Sequence, residues 1–192
     1  MRISGGDARG ITLEVPRGDK VRPATDGMRQ AVFSSLAALV PGARFLDLFA
    51  GSGAYGLEAL SRGAAGGVFV EQNAKAAACI RRNVAAVSKS LGRDPSHARD
   101  VVVLQADARS VPLGGAADLP DLVFVDPPYE SIPELAPTLF ARLATVLAPK
   151  PGAIVVFELP GELELAPEGW GLLKRLGQGA RQPTAAFYRR RP

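Results

Sequence analysis

Five short apolar segments recur through the middle of this chain, and most of them are separated by segments with helical periodicity. Strands with so few polar side chains are typically buried on both faces, as in parallel sheets that helices cover on each side. The pattern therefore predicts an α/β fold built on a mostly parallel sheet. The apolar segments cover residues 44–49, 67–71, 101–105, 122–126 and 153–158.

Helix signals lie between these strands and before the first of them. Asn73 is a favourable N-cap residue, and Pro133 stands near the first turn of its predicted helix. Apolar residues at helical spacing define the remaining helices, and Pro41 ends the first one. The predicted helices cover residues 25–40, 54–62, 73–88 and 133–147.

The two ends of the chain carry different patterns. Short alternating runs split by glycines over residues 1–22 predict a small β-hairpin in front of the core. Two further segments, 171–176 and 184–190, predict a final antiparallel strand pair. The complete prediction is one domain, with 1–24 as a hairpin extension and 25–192 as the core. Its seven-stranded sheet is mostly parallel with an antiparallel last strand.

Composition excludes several kinds of site. The 192 residues include one cysteine, Cys79, and one histidine, His97. An internal disulfide and a cysteine-only metal site are therefore excluded, and a histidine-rich zinc site is disfavoured. The chain has no apolar run of membrane-spanning length and no apolar run near its start, so we expect a cytoplasmic protein without a secretory signal, membrane or metal partner. The net charge of +4 permits an acidic partner without requiring one.

A glycine-rich loop follows the first core strand and opens a helix. Its glycines, Gly51, Gly53 and Gly56, have the G-x-G-x-x-G spacing of dinucleotide-binding loops. Glu71 ends the next strand, where a carboxylate can accept hydrogen bonds from ribose hydroxyls. NAD and S-adenosylmethionine both carry a ribose, so the loop by itself predicts a nucleoside cofactor without choosing between them.

Two aspartates favour S-adenosylmethionine. Asp47 lies near the end of the first strand, where its carboxylate would repel the phosphates of a dinucleotide but suits the cationic amino group of a methionine moiety. Asp107 follows the third strand. Its carboxylate can accept a hydrogen bond from an adenine amino group, or it can serve as a helix N-cap.

The segment Asp126-Pro127-Pro128-Tyr129 is the most informative motif in the chain. Consecutive prolines cannot extend a central strand, because they lack N–H groups and have a fixed φ. They force a turn at the carboxyl edge of the sheet, which is where open α/β folds bind ligands. Asp126 is therefore expected to point into a ligand crevice with the Tyr129 ring beside it.

This motif suits methyl transfer to an exocyclic amino group of a nucleobase. That nitrogen is a poor nucleophile because its lone pair is delocalised into the ring. The Asp126 carboxylate and the Pro127 carbonyl can accept its hydrogens, which favours a pyramidal nitrogen aimed at a sulfonium methyl for in-line displacement. Tyr129 can stack on a base taken out of its helix.

Several segments together resemble the bacterial RsmD family of class I S-adenosylmethionine-dependent methyltransferases. The resemblance runs from the start to the end of the chain and implies a Rossmann-like fold with S-adenosylmethionine as cofactor. It implies methylation of the N2 amino group of a guanine in 16S rRNA, at position 966, on the 30S subunit or its assembly intermediate. We expect the protein to act as a monomer. The matching segments are 1–6, 9–10, 22–26 with Arg29, 46–53, 56–64 and 126–129.

The resemblance implies that residues 22–30 close over the methionine end of the cofactor. That segment departs from the family pattern at Ala24, Gly27 and Gln30.

The resemblance also divides the candidate site residues into three groups. The predicted catalytic residues are Asp126, Pro127, Pro128 and Tyr129. The predicted cofactor-binding residues are Thr25, Asp47, Phe49, Gly51, Ser52, Gly53, Glu71, Gln72, Asp107 and Ala108. The predicted phosphate contacts with RNA are Arg2, Arg9, Arg17, Lys20 and Arg22.

Other functions compete with this hypothesis. A DNA adenine-N6 or cytosine-N4 methyltransferase shares the motif but usually carries a large target-recognition domain, for which 192 residues leave no room. A glutamine methyltransferase would prefer asparagine in place of Asp126. A nicotinamide-dependent oxidoreductase fits the glycine loop but conflicts with Asp47. A catalytically silent binding module is disfavoured by the intact Asp126 and Tyr129.

Overall fold

Seven strands form one sheet in the computed structural model of the chain, which describes residues 1–16, 26–92, 100–113, 119–177, 179 and 182–191. The order across the sheet is β3-β2-β1-β4-β5-β7-β6. β7 is antiparallel to both of its neighbours, and the other strand pairs are parallel. The predicted sheet is therefore confirmed. The strands are β1 (Arg44–Leu48), β2 (Gly66–Glu71), β3 (Val101–Gln105), β4 (Leu122–Val125), β5 (Ile154–Pro160), β6 (Trp170–Leu176) and β7 (Pro183–Arg190).

Helices cover both faces of this sheet, because successive side chains of a strand point to opposite sides. In β1, Phe45 enters the hydrophobic cluster beneath α1, α2 and α3, whereas Leu46 enters the cluster beneath α4. Among the described residues, no helix has the length and apolar character needed to cross a bilayer. The helices are α1 (Asp26–Ser35), α2 (Ala54–Ser61), α3 (Ala74–Ser90) and α4 (Ile132–Val146), with a 3-10 helix over Tyr129–Ser131.

The helix boundaries agree with the sequence except at the end of α1. Asn73 is the N-cap of α3, and its side-chain oxygen accepts hydrogen bonds from the Lys75 and Ala76 N–H groups. α1 ends at Ser35 instead of residue 40. The apolar spacing continues past its end because Leu36 and Val40 remain buried in the following turns.

The N-terminal extension pairs its two ends in antiparallel fashion at the place where the small hairpin is predicted. A bridge joins Arg2 to Thr12, and the Ile3 N–H donates to the Ile11 carbonyl at 3.0 Å. The pairing is short, because the backbone of the intervening turn bonds to the end of α2: the Asp7 N–H donates to the Ser61 carbonyl at 2.8 Å.

Candidate active site

The carboxyl ends of four neighbouring strands meet at one edge of the sheet. Register pairs Leu48 of β1 with Val70 of β2 on one side and with Val125 of β4 on the other. The strand order reverses direction between β1 and β4, which makes this crevice the topological switch point where such folds bind ligands. The predicted glycine loop, Glu71, Asp107 and Asp126 all follow strands that end here.

Each glycine of the β1–α2 loop is required for a local reason. Gly51 and Gly53 have φ values of 55° and 81°, a region that side-chain-bearing residues rarely adopt. A Cβ on Gly56 would lie 2.3 Å from Phe69 Cε1 and 2.5 Å from Phe45 Cε2. The first two glycines therefore shape the loop, and the third allows α2 to approach the sheet closely.

Replacing Gly56 with alanine is expected to lower the free energy of unfolding by about 1–3 kcal/mol, because the added methyl would overlap two buried rings. Urea unfolding monitored by circular dichroism measures this change. Gly152→Ala is the control, since a Cβ at Gly152 meets nothing within 4 Å. Equal stability of the two variants would contradict the packing role of Gly56.

Phe49 is the only non-glycine residue with a positive φ in the described parts of the chain, at 60°. Such a backbone conformation is strained for a residue with a bulky side chain, and it persists where the surrounding structure enforces it. The half-buried Phe49 ring packs against the hydrophobic cluster beneath α4. The predicted cofactor-binding residue Phe49 thus stands at a strained point of the glycine loop.

Asp47 is buried beneath the start of α2. Its Oδ2 accepts a hydrogen bond from the Gly56 N–H at 2.9 Å, so the carboxyl group holds the first turn of the helix. Burial raises the pKa of Asp47 to about 8; the Gly56 hydrogen bond opposes this rise and the negative charge of Glu71 adds to it. The site therefore holds an acid that changes charge near neutral pH.

Glu71 ties the glycine loop to the start of α3. Its Oε2 accepts from the Gly51 N–H at 2.8 Å, and its Oε1 accepts from the Asn73 N–H at 2.7 Å. Because each carboxylate oxygen can accept more than one hydrogen bond, Glu71 still has capacity for ribose hydroxyls. Its neighbour Gln72 is exposed, and Ser52 in the loop is buried.

Asp107 shapes the turn that follows β3. Its Oδ1 accepts from the Arg109 N–H at 2.9 Å, and the turn continues without a helix. The Arg142 guanidinium on α4 donates to the carbonyls of the buried Ala108, of Arg109 and of Val111, so it fixes this turn from below. Sequence reasoning missed Arg142, because nothing in the local sequence of α4 marks its partners.

The Asp126 motif forms the predicted turn at the end of β4. Ser131 donates to the Pro128 carbonyl through its N–H at 2.9 Å and through its Oγ at 2.7 Å, which closes the 3-10 helix. Pro127 is buried and Pro128 is exposed, and the half-buried Tyr129 packs against the cluster beneath α4. Desolvation raises the pKa of Asp126 well above its usual value, and the charges of Glu158 and Asp47 add to this shift.

Two further residues enter the site that sequence reasoning did not select. The Tyr55 hydroxyl at the start of α2 donates to Glu158 Oε2 at 2.7 Å, and both side chains are buried. Burial raises the pKa of Glu158, against the lowering effect of the Tyr55 hydrogen bond. The sequence carried one signal for Glu158: it is an acidic residue near the end of the apolar strand β5, and its position there corresponds to that of Asp126 after β4.

The predicted RNA contacts are only partly described. Arg2 and Arg9 are exposed on the N-terminal extension. The other three predicted RNA contacts lie outside the described residues, and so do the predicted cofactor-binding residue Thr25 and His97. Those three contacts are Arg17, Lys20 and Arg22. In the parts of the chain that the structure describes, no group of three His, Cys, Asp or Glu side chains is arranged to hold a metal ion.

The strand order, the antiparallel β7 and the Asp126 motif at the switch point together define a class I methyltransferase fold. A family model described as Conserved hypothetical protein 95 matches residues 1–188. The chain belongs to this family, the RsmD family.

Individual relatives agree with this assignment. Ribosomal RNA small subunit methyltransferase D of Escherichia coli is 39% identical over 129 residues, which are 67% of this chain and 60% of that protein. The match thus spans well under two thirds of that curated relative. The solved structure of yhhF, a proposed Escherichia coli methyltransferase, superposes with a TM-score of 0.77 at 31% identity, covering 99% of this chain and 97% of the other. A Pyrococcus abyssi tRNA (uracil-54, C5)-methyltransferase in complex with S-adenosyl-L-homocysteine has a TM-score of 0.60 at 21% identity, covering 89% of this chain and 40% of the other, which shows the fold alone.

Proposed function

We propose that this protein transfers a methyl group from S-adenosylmethionine to the N2 amino group of a guanine in 16S rRNA, with guanine 966 as the target. The observation that carries the proposal is the place of Asp126, at the switch point beside the glycine loop. The name of the Escherichia coli relative, a small subunit rRNA methyltransferase, supports RNA as the substrate. The 30S subunit or its precursor is the proposed partner of a cytoplasmic monomer.

The residues of the crevice suit S-adenosylmethionine. Gly51 and Gly53 allow a close backbone approach, Glu71 faces the loop, and the buried Asp47 offers a carboxylate to a cationic amino group. Asp107 and Ala108 would hold the adenine, on a turn fixed by Arg142. When bound, the cofactor supplies an electrophilic methyl group on a positively charged sulfur. When ionised, Asp47 near the end of β1 would repel the phosphates of a nicotinamide dinucleotide, which favours this cofactor.

The chain's own residues orient the guanine. The Asp126 carboxylate and the Pro127 carbonyl accept hydrogen bonds from the N2 amino group, which aims its lone pair at the methyl carbon. The Tyr129 ring stacks on the extruded base. Positioning and electrostatics contribute most of the rate enhancement, because the displacement itself needs no covalent enzyme intermediate. The exposed Arg2 and Arg9 of the extension would contact RNA phosphates.

A labelling experiment tests this function. Small subunits that lack the modification are incubated with the protein and radiolabelled S-adenosylmethionine, and the labelled nucleotide is then mapped. We expect label at one guanine N2 in 16S rRNA within the subunit. Duplex DNA is the control substrate, and label confined to DNA would contradict the proposal. Tighter calorimetric binding of NAD than of S-adenosylmethionine would contradict the proposed cofactor.

The affinity for S-adenosylmethionine is expected to increase with pH up to about pH 8, where the α-amino group of the ligand begins to lose its own proton. Asp47 has a pKa of about 8 in the free protein. A cationic amino group favours its ionised form, so binding below that pH releases a proton and strengthens roughly tenfold per pH unit. Calorimetry in buffers of different ionisation enthalpy measures this release. Methylthioadenosine, which lacks the amino acid moiety, is the control and should show no such slope. Equal slopes for both ligands would remove Asp47 from this role.

A further inference from the structure

Three acidic side chains from neighbouring strands share one face of the sheet at its carboxyl edge. Register places Asp47 of β1 opposite Phe124 of β4, and Val125 of β4 opposite Phe157 of β5. Asp126 and Glu158 each follow this last pair by one residue. Since side chains alternate along a strand, Asp126 and Glu158 lie on the face that carries Asp47.

Tyr55 reaches this acidic group from α2. Its ring stacks on Phe124 at 5.2 Å with an interplanar angle of 17°, and Phe33 packs on the same Phe124 ring at 5.5 Å. The ring is therefore fixed, and its hydroxyl donates to Glu158 Oε2 at 2.7 Å. Burial raises the pKa of Tyr55 well above its usual value, and the nearby charges of Glu158, Asp126 and Asp47 add to this rise. Tyr55 thus remains a hydrogen-bond donor across the working pH range.

The two carboxyl groups at the end of this face differ in their surroundings. Glu158 accepts the Tyr55 hydrogen bond, which stabilises its ionised form. The charge of Glu158 in turn opposes ionisation of Asp126. Among the described residues, the titratable groups facing Asp126 are Asp47 from β1, Tyr55 from α2 and Glu158 from β5. The residue of β7 that pairs with Glu158 is Ala185, which carries no charge. Burial raises the pKa of both carboxyl groups, but only at Glu158 does the Tyr55 hydrogen bond oppose this rise, which favours the negative charge on Glu158 and the proton on Asp126.

We propose that Glu158, held by the Tyr55 hydroxyl, is a positioning residue whose negative charge drives the proton released by methyl transfer onto the Asp126 carboxylate. This inference rests on the proposed function. The guanine N2 forms its bond to the methyl carbon as the carbon–sulfur bond breaks and leaves its electron pair on sulfur. Positive charge thereby passes from sulfur to nitrogen, and the nitrogen becomes acidic. N2 then gives one proton to Asp126, which later releases it to water.

The timing of this proton transfer follows from the charges. Before transfer, Asp126 would be held in its ionised form by the positive charge of the bound cofactor. Methyl transfer moves the positive charge to N2, and the proton that N2 gives up carries this charge onto Asp126, whose affinity for it is increased by the remaining charge of Glu158. Asp126 therefore accepts hydrogen bonds before the reaction and accepts a proton after it. Glu158 acts through Asp126 and need not touch the guanine.

Single-turnover methyl transfer measured from about pH 5 to about pH 9 tests the inference. Glu158→Gln removes the charge, so Asp126 ionises more readily and is a weaker base. We expect the acidic limb of the rate profile to move to lower pH by about one unit and the plateau to fall about tenfold. Tyr55→Phe should shift the limb in the same direction by less. Tyr188→Phe is the matched control, because that buried hydroxyl donates to the Leu165 carbonyl outside the crevice.

A lower plateau without any movement of the acidic limb would overturn the inference, since that is the result of a purely structural role for Glu158. A second readout needs no substrate: the titration of the Asp126 carboxyl, followed by NMR with ¹³C-labelled aspartate and assigned with Asp126→Asn. The midpoint should fall in Glu158→Gln, and an unchanged midpoint would overturn the inference. A wild-type protein that methylates no guanine would contradict the proposed function. The NMR titration would still decide whether the charge of Glu158 raises the affinity of Asp126 for a proton, as this inference requires.

Discussion

Replacing Asp126 with alanine is expected to reduce the single-turnover rate of methyl transfer by roughly 10²–10³-fold, the cost of removing one preorganised polar group at a reacting centre. The amino group would lose the carboxylate that orients it and the base that receives its proton. The cofactor lies against the β1 loop in the proposed complex, so its affinity should change little. Transfer to undermodified small subunits measures the rate, and calorimetry measures the affinity.

Two further variants make this result specific. Asp126→Asn keeps an oxygen acceptor but removes the charge, so its rate should lie between those of wild type and Asp126→Ala. Glu130→Ala removes a nearby exposed carboxylate and should leave the rate close to that of wild type. A rate for Asp126→Ala equal to wild type would remove this residue from the proposed chemistry.

Replacing Glu58 with alanine is expected to lower the free energy of unfolding by about 3–5 kcal/mol, because it removes the buried carboxylate partner of Arg29 and leaves only the exposed Asp26 paired with this arginine. Arg29 and Glu58 are both fully buried, and Arg29 Nε lies 3.3 Å from Glu58 Oε2. Glu58 also accepts from the Ser4 N–H at 2.8 Å and from Arg62 Nε at 2.9 Å. One side chain thus joins the N-terminal extension, α1 and α2.

Urea unfolding by circular dichroism measures the loss, and Arg82→Ala is the matched control. Arg82 pairs with Glu14 at 2.8 Å, but both side chains are more than half exposed. Solvent screens such pairs, so the control should leave stability nearly unchanged. Equal changes in the free energy of unfolding for the two variants would contradict a stabilising role for the buried network of Glu58.

The Glu58 network also fixes the segment that carries two of the proposed RNA contacts. Ser4 and Arg29 connect the segment carrying Arg2 and Arg9 to the helix that follows the cofactor loop, and Arg29 Nη2 also donates to the Arg2 carbonyl. The extension is thereby held on α1 and α2. The sequence predicted a small hairpin at this place but not its attachment to the helices, since alternation of residues does not reveal which distant groups the turn will contact.

The glycine loop and the Asp126 motif could be located from sequence because their constraints are local. Gly51 and Gly53 allow a left-handed backbone, and the consecutive prolines end a strand whatever surrounds them. Gly56 is different, because it is required by rings of Phe45 and Phe69 that arrive from other strands. The spacing of Gly56 from the other two glycines was visible in the sequence, but the ring packing that requires a glycine at this position was not.

The sequence by itself determined the order of strands and helices, the parallel sheet and the identity of the groups at its carboxyl edge, because periodicity and turn chemistry act over a few neighbouring residues. Only the tertiary structure decided that Tyr55 bonds to Glu158, 103 residues away, and that Glu158 joins the face carrying Asp126. These contacts depend on the register between β4 and β5 and on how closely α2 packs, which are set by the whole core. The same packing buries Asp47 and Glu158 and partly buries Asp126, and the desolvation raises the pKa of each carboxyl above its usual value.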